Sequence, residues 1–269
     1  MNINLLEIFQ YGFMVRAILA GLIIGSIAPL IGTFLVAKKY ALIADTLAHV
    51  SLVGVAIGLF IGINPLYTAL AVAMLVAVII EKLRTDQQLS GETALAIFLS
   101  GGLATAIVLL SLSRGFNVDI FSYLFGSIAT VNSVDLWLML LLGVVVAATV
   151  VIFYQQLFYI AFDEETAASS GIDVKKLNLL LLLLTAIVVG MAIRVVGALL
   201  IGALMVIPVV TASKIAKSFK TALFLSIVIS LVSVITGLIV AFYLNLPAGG
   251  TIVIVSLLFF GLTLLFKSP

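Results

Sequence analysis

The sequence predicts an all-α fold, a polytopic integral membrane helical bundle with about 8–10 transmembrane helices. Three observations carry this. The 269-residue chain is 64% hydrophobic and only 9% charged, where soluble domains are roughly half apolar and about a quarter charged; its mean hydropathy is +1.42. Its apolar runs repeatedly approach the ~20 residues a helix needs to cross ~30 Å of hydrocarbon. Those runs also lack the in-and-out alternation of barrel strands, the other architecture that can span a bilayer.

In chain order, spans are expected near 13–37, 41–61, 65–81, 91–112, 134–155, 177–193, 195–211, 221–244 and 249–266. The apolar piece 119–131 is too brief to cross alone, so a short re-entrant or outer helix buried in protein is expected there. All of 1–269 reads as a single transmembrane domain. Short cytoplasmic loops retain Lys and Arg. Lys38 and Lys39, Lys82 and Arg84, Lys175 and Lys176, and the trio Lys214, Lys217 and Lys220 therefore mark four cytoplasmic connections, with Lys267 placing the C-terminus on that side. The opposite loops, 62–65 and 246–250, carry no charge. Nine crossings put the N-terminus outside, and one misread span would bring it inside.

The segment 162–176, FDEETAASSGIDVKK, concentrates charge: Asp163, Glu164, Glu165, Asp173, Lys175 and Lys176. A solvated helix in a long cytoplasmic loop and a plain solvated connector both fit it. Gly21/Gly25, Gly54/Gly58 and Gly197 near Gly202 are spaced for close helix contact, since small residues let membrane helices approach until backbones touch.

Several classes are excluded. Without cysteine there are no disulfides, thiolate metal sites or Cys nucleophiles. A net charge of +2, dispersed along the chain, gives no nucleic-acid surface. No GxxxxGK[ST] occurs, so the chain has no P-loop of its own. The N-terminus lacks a basic region and a small-residue cleavage site, so no removable signal peptide is expected.

Against this background the only histidine, His49, follows Asp45 by four residues, which puts both on one helix face about a turn apart. Counted from Lys39, His49 lies roughly 12–15 Å into the membrane. An acid at such depth is costly and faces a cavity or a partner. Three readings stay open: a structural hydrogen-bonded pair, a proton relay in a secondary transporter, and metal ligands on a permeation path. Two ligands are incomplete for zinc, which prefers four; a symmetric dimer would supply two such pairs. Elsewhere, Arg194 is expected at an outer turn, snorkelling. Arg114 and Asp119 are expected to pair in the outer segment or meet a docking protein, and Glu7 and Arg16 flank the first span.

ALIADTLAHVSLVGVAIG (41–58), INPLYTA (63–69), DIFSYLFGSI (119–128), FDEETAASSGI (162–172), VVGALLIGALMVIPVVTA (195–212) and LPAGGTIVI (246–254) occur in this order. Together they resemble the membrane permease subunits of bacterial zinc and manganese ABC importers, across essentially the whole chain. DTLAH looks more like the zinc-importing branch. The resemblance implies a multi-pass protein of the bacterial cytoplasmic membrane, surrounded by membrane lipid and working as a homodimer on cytoplasmic ATP-binding subunits. It implies that an extracellular metal-binding protein delivers Zn²⁺ or Mn²⁺, and that the partner uses the ATP. The permease then has no cofactor of its own and is not an enzyme. The family's metal-contacting acid and histidine map onto Asp45 and His49. The family's coupling-helix pattern maps onto Glu165, Ala168 and Gly171 within a loop at about 162–176.

Competing expectations are a proton-coupled secondary transporter using Asp45 and His49, a permease for a larger cargo such as a siderophore, and an intramembrane enzyme.

Overall fold

The structure, a computed structural model, describes residues 10–86, 90–112, 120–127 and 131–266. Among these residues there are twelve helices and no strand. They are α1 (Gly12–Ala37), α2 (Leu42–Ile61), α3 (Pro65–Thr85), α4 (Gly91–Leu112), α5 (Ile120–Phe125) and α6 (Ser133–Ile152). There follow α7 (Tyr154–Phe162), α8 (Glu164–Ser169), α9 (Val174–Ala192), α10 (Ile201–Ile215), α11 (Phe219–Leu244) and α12 (Ala248–Phe266). Eight of them, α1, α2, α3, α4, α6, α9, α11 and α12, are long and apolar enough to cross a membrane.

The ends follow from local chemistry. Gly62 terminates α2 in the left-handed region, φ 74°. Asn64 accepts the Leu66 N–H, and Pro65 fills the first helical position of α3, where its missing N–H costs nothing. Asn132, Asp163, Asp173 and Ser218 cap α6, α8, α9 and α11 in the same way.

One expected span is broken. Rather than a continuous helix over 195–211, the chain leaves α9 at Ala192, runs through turns over 193–200, and becomes helical again only at Ile201. At 15 residues α10 reaches only ~22 Å, short of a full crossing by itself. The backbone groups of the turns are satisfied by α5 and the residues after it. Ala198 N–H donates to Tyr123 O (2.9 Å), Leu199 N–H to Leu124 O (3.1 Å), and Ser127 N–H to Arg194 O (3.1 Å). Irregular backbone survives inside a membrane protein only when it is sheltered and bonded in this way. Glycine permits the crossing: Gly126 and Gly197 adopt φ +75° and +89°, and a Cβ on Gly197 would stand 2.4 Å from Leu124 O. The brief helix expected in 119–131 is thus α5, folded onto the discontinuity.

Polar side chains gather at the two ends. At one end, Arg194 pairs with Asp135 at the start of α6 and donates to Asn64 Oδ1 (2.9 Å), while Arg16 donates to Val131 O (2.9 Å). At the other, Lys38, Arg84, Glu164 and Asn178 meet. The second cluster is the cytoplasmic end marked by the Lys and Arg count. Arg194 does not snorkel: its side chain is 12% exposed, because Asp135 and Asn64 hold it in the bundle. Glu7, Arg114, Asp119 and Lys267 lie outside the described residues.

Candidate metal centre and cytoplasmic segment

Helix α2 sits between α3, α4, α9 and α10, and small residues set its distance from each neighbour. A Cβ on Gly54 would lie 2.5 Å from Thr68 O, and one on Gly102 of α4 would lie 3.0 Å from the Val50 backbone. Backbones therefore touch on two sides of α2. Gly21 and Gly25 of α1 instead make room for the Val234 side chain of α11. Gly197 and Gly202 do not share a surface: the first faces the α5 backbone and the second faces Asp45.

Asp45 is in the first turn of α2 and His49 one turn on, about 10 Å along the helix axis from Leu42. Both are half-buried. His49 Nδ1 lies 3.3 Å from Leu99 O on α4. A carbonyl oxygen can only accept, so in the neutral ring this contact selects the tautomer with the proton on Nδ1 and the lone pair on Nε2. Metal-binding imidazoles are oriented in this manner, by a carbonyl on the opposite ring nitrogen. Thr46 ties the same turn to α4, donating to Leu42 O (3.0 Å) and reaching Leu95 O (3.4 Å).

Asp45 turns toward α10 instead. Its carboxylate lies over Gly202, where an added Cβ would stand only 1.8 Å from Oδ1. Gly202 is the second residue of α10, and no side chain caps that helix. An acid thus stands at the positive end of the α10 dipole, inside the bundle. Among the described residues no third His, Cys, Asp or Glu joins the pair to make a metal cluster. The pair can offer one carboxylate and one imidazole nitrogen, half a tetrahedral shell.

The charged segment 162–176 starts at the last residue of α7, forms α8, a helix of only six residues, and enters the first turn of α9. Asp163 caps α8, accepting the Thr166 N–H at 3.0 Å. At its other end Gly171 adopts φ +82°, with Gly171 N–H on Ala168 O (3.0 Å) and Ile172 N–H on Ala167 O (3.1 Å). This pair of bonds is a Schellman ending, which favours glycine at its left-handed position. Glu165, Ala168 and Gly171 are all exposed, while Ala167 turns inward. With Arg84, Asp173 and Lys175, Glu165 and Ala168 line a groove of about 540 Å³.

Nothing in the sequence distinguishes Glu164 from the other charges of the segment. Its Oε1 meets Lys38 Nζ, accepts from Asn178 Nδ2 (3.3 Å) and lies 3.7 Å from Arg84 Nη1. Burial pushes the Glu164 carboxyl up, but the hydrogen bond and charge of Lys38, with Arg84 and Asn178, outweigh it and hold the carboxyl below its usual range. Contacts between distant segments leave no mark on local spacing, so the sequence does not show Gly202 and Leu99 as neighbours of the pair.

Residues 10–267 match the ABC 3 transport family. The chain is 33% identical to the high-affinity zinc uptake system membrane protein ZnuB of Haemophilus influenzae, covering 95% of this chain and 98% of that one. It is 32% identical to the manganese import system permease protein ScaB of Streptococcus gordonii, over 93% and 90% of the two chains. Its fold matches a chain of the solved structure of PsaBC from Streptococcus pneumoniae in complex with Fab, with a TM-score of 0.86, 29% identity, and coverage of 96% and 92%. From its apolar spans, its discontinuous helix and these likenesses, the chain is a multi-pass protein of the cytoplasmic membrane that belongs to the ABC 3 transport family.

Proposed function

We propose that this chain is the permease subunit of an ATP-driven importer for a divalent transition metal, with Zn²⁺ the favoured cargo and Mn²⁺ the alternative. A homodimer would stand on two cytoplasmic ATP-binding subunits and receive metal from an extracellular binding protein. The observation that carries the reading is the Asp45–His49 pair on α2, with His49 Nδ1 engaged by Leu99 O and Nε2 left as a ligand. In a chain related to both zinc and manganese systems, that is the donor set such a cargo needs. An imidazole favours zinc over manganese, and a carboxylate serves both.

Two ligands per copy suit a translocator. Binding must be weak enough to release, and two copies related by a two-fold axis would complete a transient four-ligand shell. Glu165, Ala168 and Gly171 on the exposed side of the α8 segment are the proposed contact with the ATPase. Nucleotide-driven movement of that contact would shift the bundle between outward- and inward-open states by stabilising one over the other.

The test is uptake of radioactive zinc and manganese into proteoliposomes holding the permease, its ATPase subunit and a binding protein. ATP-dependent uptake that His49→Ala abolishes, with dimer and ATPase association intact, supports the reading. Uptake without ATP, driven by a proton gradient, would replace it with the proton-coupled transporter. Normal metal uptake by His49→Ala would reduce His49 to packing.

A further inference from the structure

We infer that the Lys38–Glu164 ion pair is the link through which displacement of α8 reaches the first turn of α2, and so moves Asp45. The inference rests on the importer reading and adds the path by which the cytoplasmic segment acts on the metal pair.

The grip of α8 on the bundle is narrow. Glu165, Thr166, Ala168, Ser169 and Ser170 are exposed, so it is Glu164 and Ala167 that face inward. Ala167 packs into the core, and Glu164 carries the polar links to other helices: Lys38 after α1, Arg84 on α3 and Asn178 on α9. Of the two cations, Lys38 is the more enclosed, its side chain 9% exposed against 27% for Arg84, and it also donates to Asn178 Oδ1. A force applied to α8 therefore meets the α1–α2 turn through a charge pair that is enclosed on its Lys38 side and partly open to solvent at Glu164.

That turn is stiff. Only residues 38–41 separate α1 from α2. Lys38 N–H donates to Phe34 O (3.0 Å), Lys39 N–H to Val36 O (3.0 Å), and Tyr40 N–H to Leu35 O (2.8 Å). Lys39 takes φ +58°, a left-handed conformation that a side chain adopts only when its surroundings impose it. The next bonds, Ile43 N–H to Tyr40 O and Ala44 N–H to Ala41 O, both 3.2 Å, run straight into α2. From the Lys38 backbone to Asp45 a bonded turn is followed directly by one helical turn. Asp45 in turn rests against Gly202 at the start of α10. A tilt of the α2 start therefore changes the distance between the acid and the short helix that begins beside it.

The experiment uses the permease reconstituted with its ATPase subunit and binding protein. The chain has no cysteine, so Leu42→Cys, at the exposed start of α2, gives a single reporter for a membrane-impermeant maleimide in open membranes. In the otherwise native chain the labelling rate should change between nucleotide-free and ATP-bound states. With Glu164→Gln or Lys38→Met that nucleotide dependence should vanish. Metal carried per ATP hydrolysed should fall about ten-fold, while ATP hydrolysis and assembly persist. Exchanging the charges, Lys38→Glu with Glu164→Lys, should restore at least half of the coupling.

A merely structural pair would lower assembly, hydrolysis and transport together, and that result overturns the inference. So does a native reporter blind to nucleotide, a nucleotide response retained without the pair, or a charge exchange that restores nothing. Labelling needs no metal, so failure of metal uptake by the native assembly would refute the importer reading and leave the link to be judged by the reporter.

Discussion

Replacing Gly202 with alanine adds one methyl group to the second residue of α10, beside Asp45. The added Cβ would stand 1.8 Å from Asp45 Oδ1 and 2.6 Å from its Cγ, where contacts of 3.4 Å and above are ordinary. The carboxylate must retreat by the difference, about 1.6 Å, while metal–donor distances tolerate only ~0.2 Å. Alanine gains about 1 kcal/mol over glycine in helix propensity, and overpacking costs about 1–3 kcal/mol, so net destabilisation stays within about 2 kcal/mol and the protein folds. Metal uptake should nevertheless drop at least about ten-fold, the scale seen when a ligand loses its positioning partner. Uptake in proteoliposomes and thermal unfolding of the same preparation separate the two effects. Gly261→Ala, where an added Cβ meets nothing within 4 Å, serves as control and should transport normally. If Gly202→Ala transports like the native chain, Asp45 does not need its present position and the metal-pair argument fails.

Other expectations concern the two ends of the bundle. Gly171→Arg should leave assembly intact and uncouple ATP hydrolysis from transport, whereas Gly171→Asn, which tolerates the left-handed conformation at φ +82°, should stay coupled; equal transport by both argues against α8 as the contact. Arg194→Met leaves Asp135, 1% exposed, as an unpaired buried acid. It should cost about 3–5 kcal/mol in stability, with Asp135→Asn added to it recovering much of that; an unchanged melting temperature removes this pair from the account. The Glu164 carboxyl is held below its usual range, so its contribution is present above the unfolded value of about 4.3 and is lost as pH falls through the lower folded value. With the side chain 37% exposed, that contribution is under about 1 kcal/mol. Native protein and Glu164→Gln should therefore converge in thermal stability only below that range, and convergence already at neutral pH would contradict the anchoring.

Much of the architecture is legible in the chain. A run such as 12–37 has no charge but Arg16, and in a bilayer only a helix satisfies its backbone, so composition and length decide the element without help from neighbours. The side of each loop follows from its lysines and arginines, because charge is retained where the membrane does not have to be crossed. Asp45 and His49 are conspicuous because an acid and an imidazole are expensive in hydrocarbon and rare in this chain. The charged segment 162–176 stands out by the converse argument, although its helix is shorter and more tightly capped than its composition implied.

What the sequence by itself determined is therefore what each segment does against lipid or water: which runs span, which face the cytoplasm, and which two side chains do not belong in an apolar helix. What only the tertiary structure decided is which segments meet. The 195–211 run is as apolar as its neighbours, and it is unwound over 193–200 because α5 supplies the bonds that a helix would have supplied itself. Arg194 reads as a snorkelling cation until Asp135, 59 residues away, is found beside it. Glu164 is one acid among several until Lys38, Arg84 and Asn178 converge on it. Hydropathy is summed along the chain, whereas hydrogen bonds, ion pairs and the clearance at Gly202 depend on positions in space, which no spacing along α2 or α10 contains.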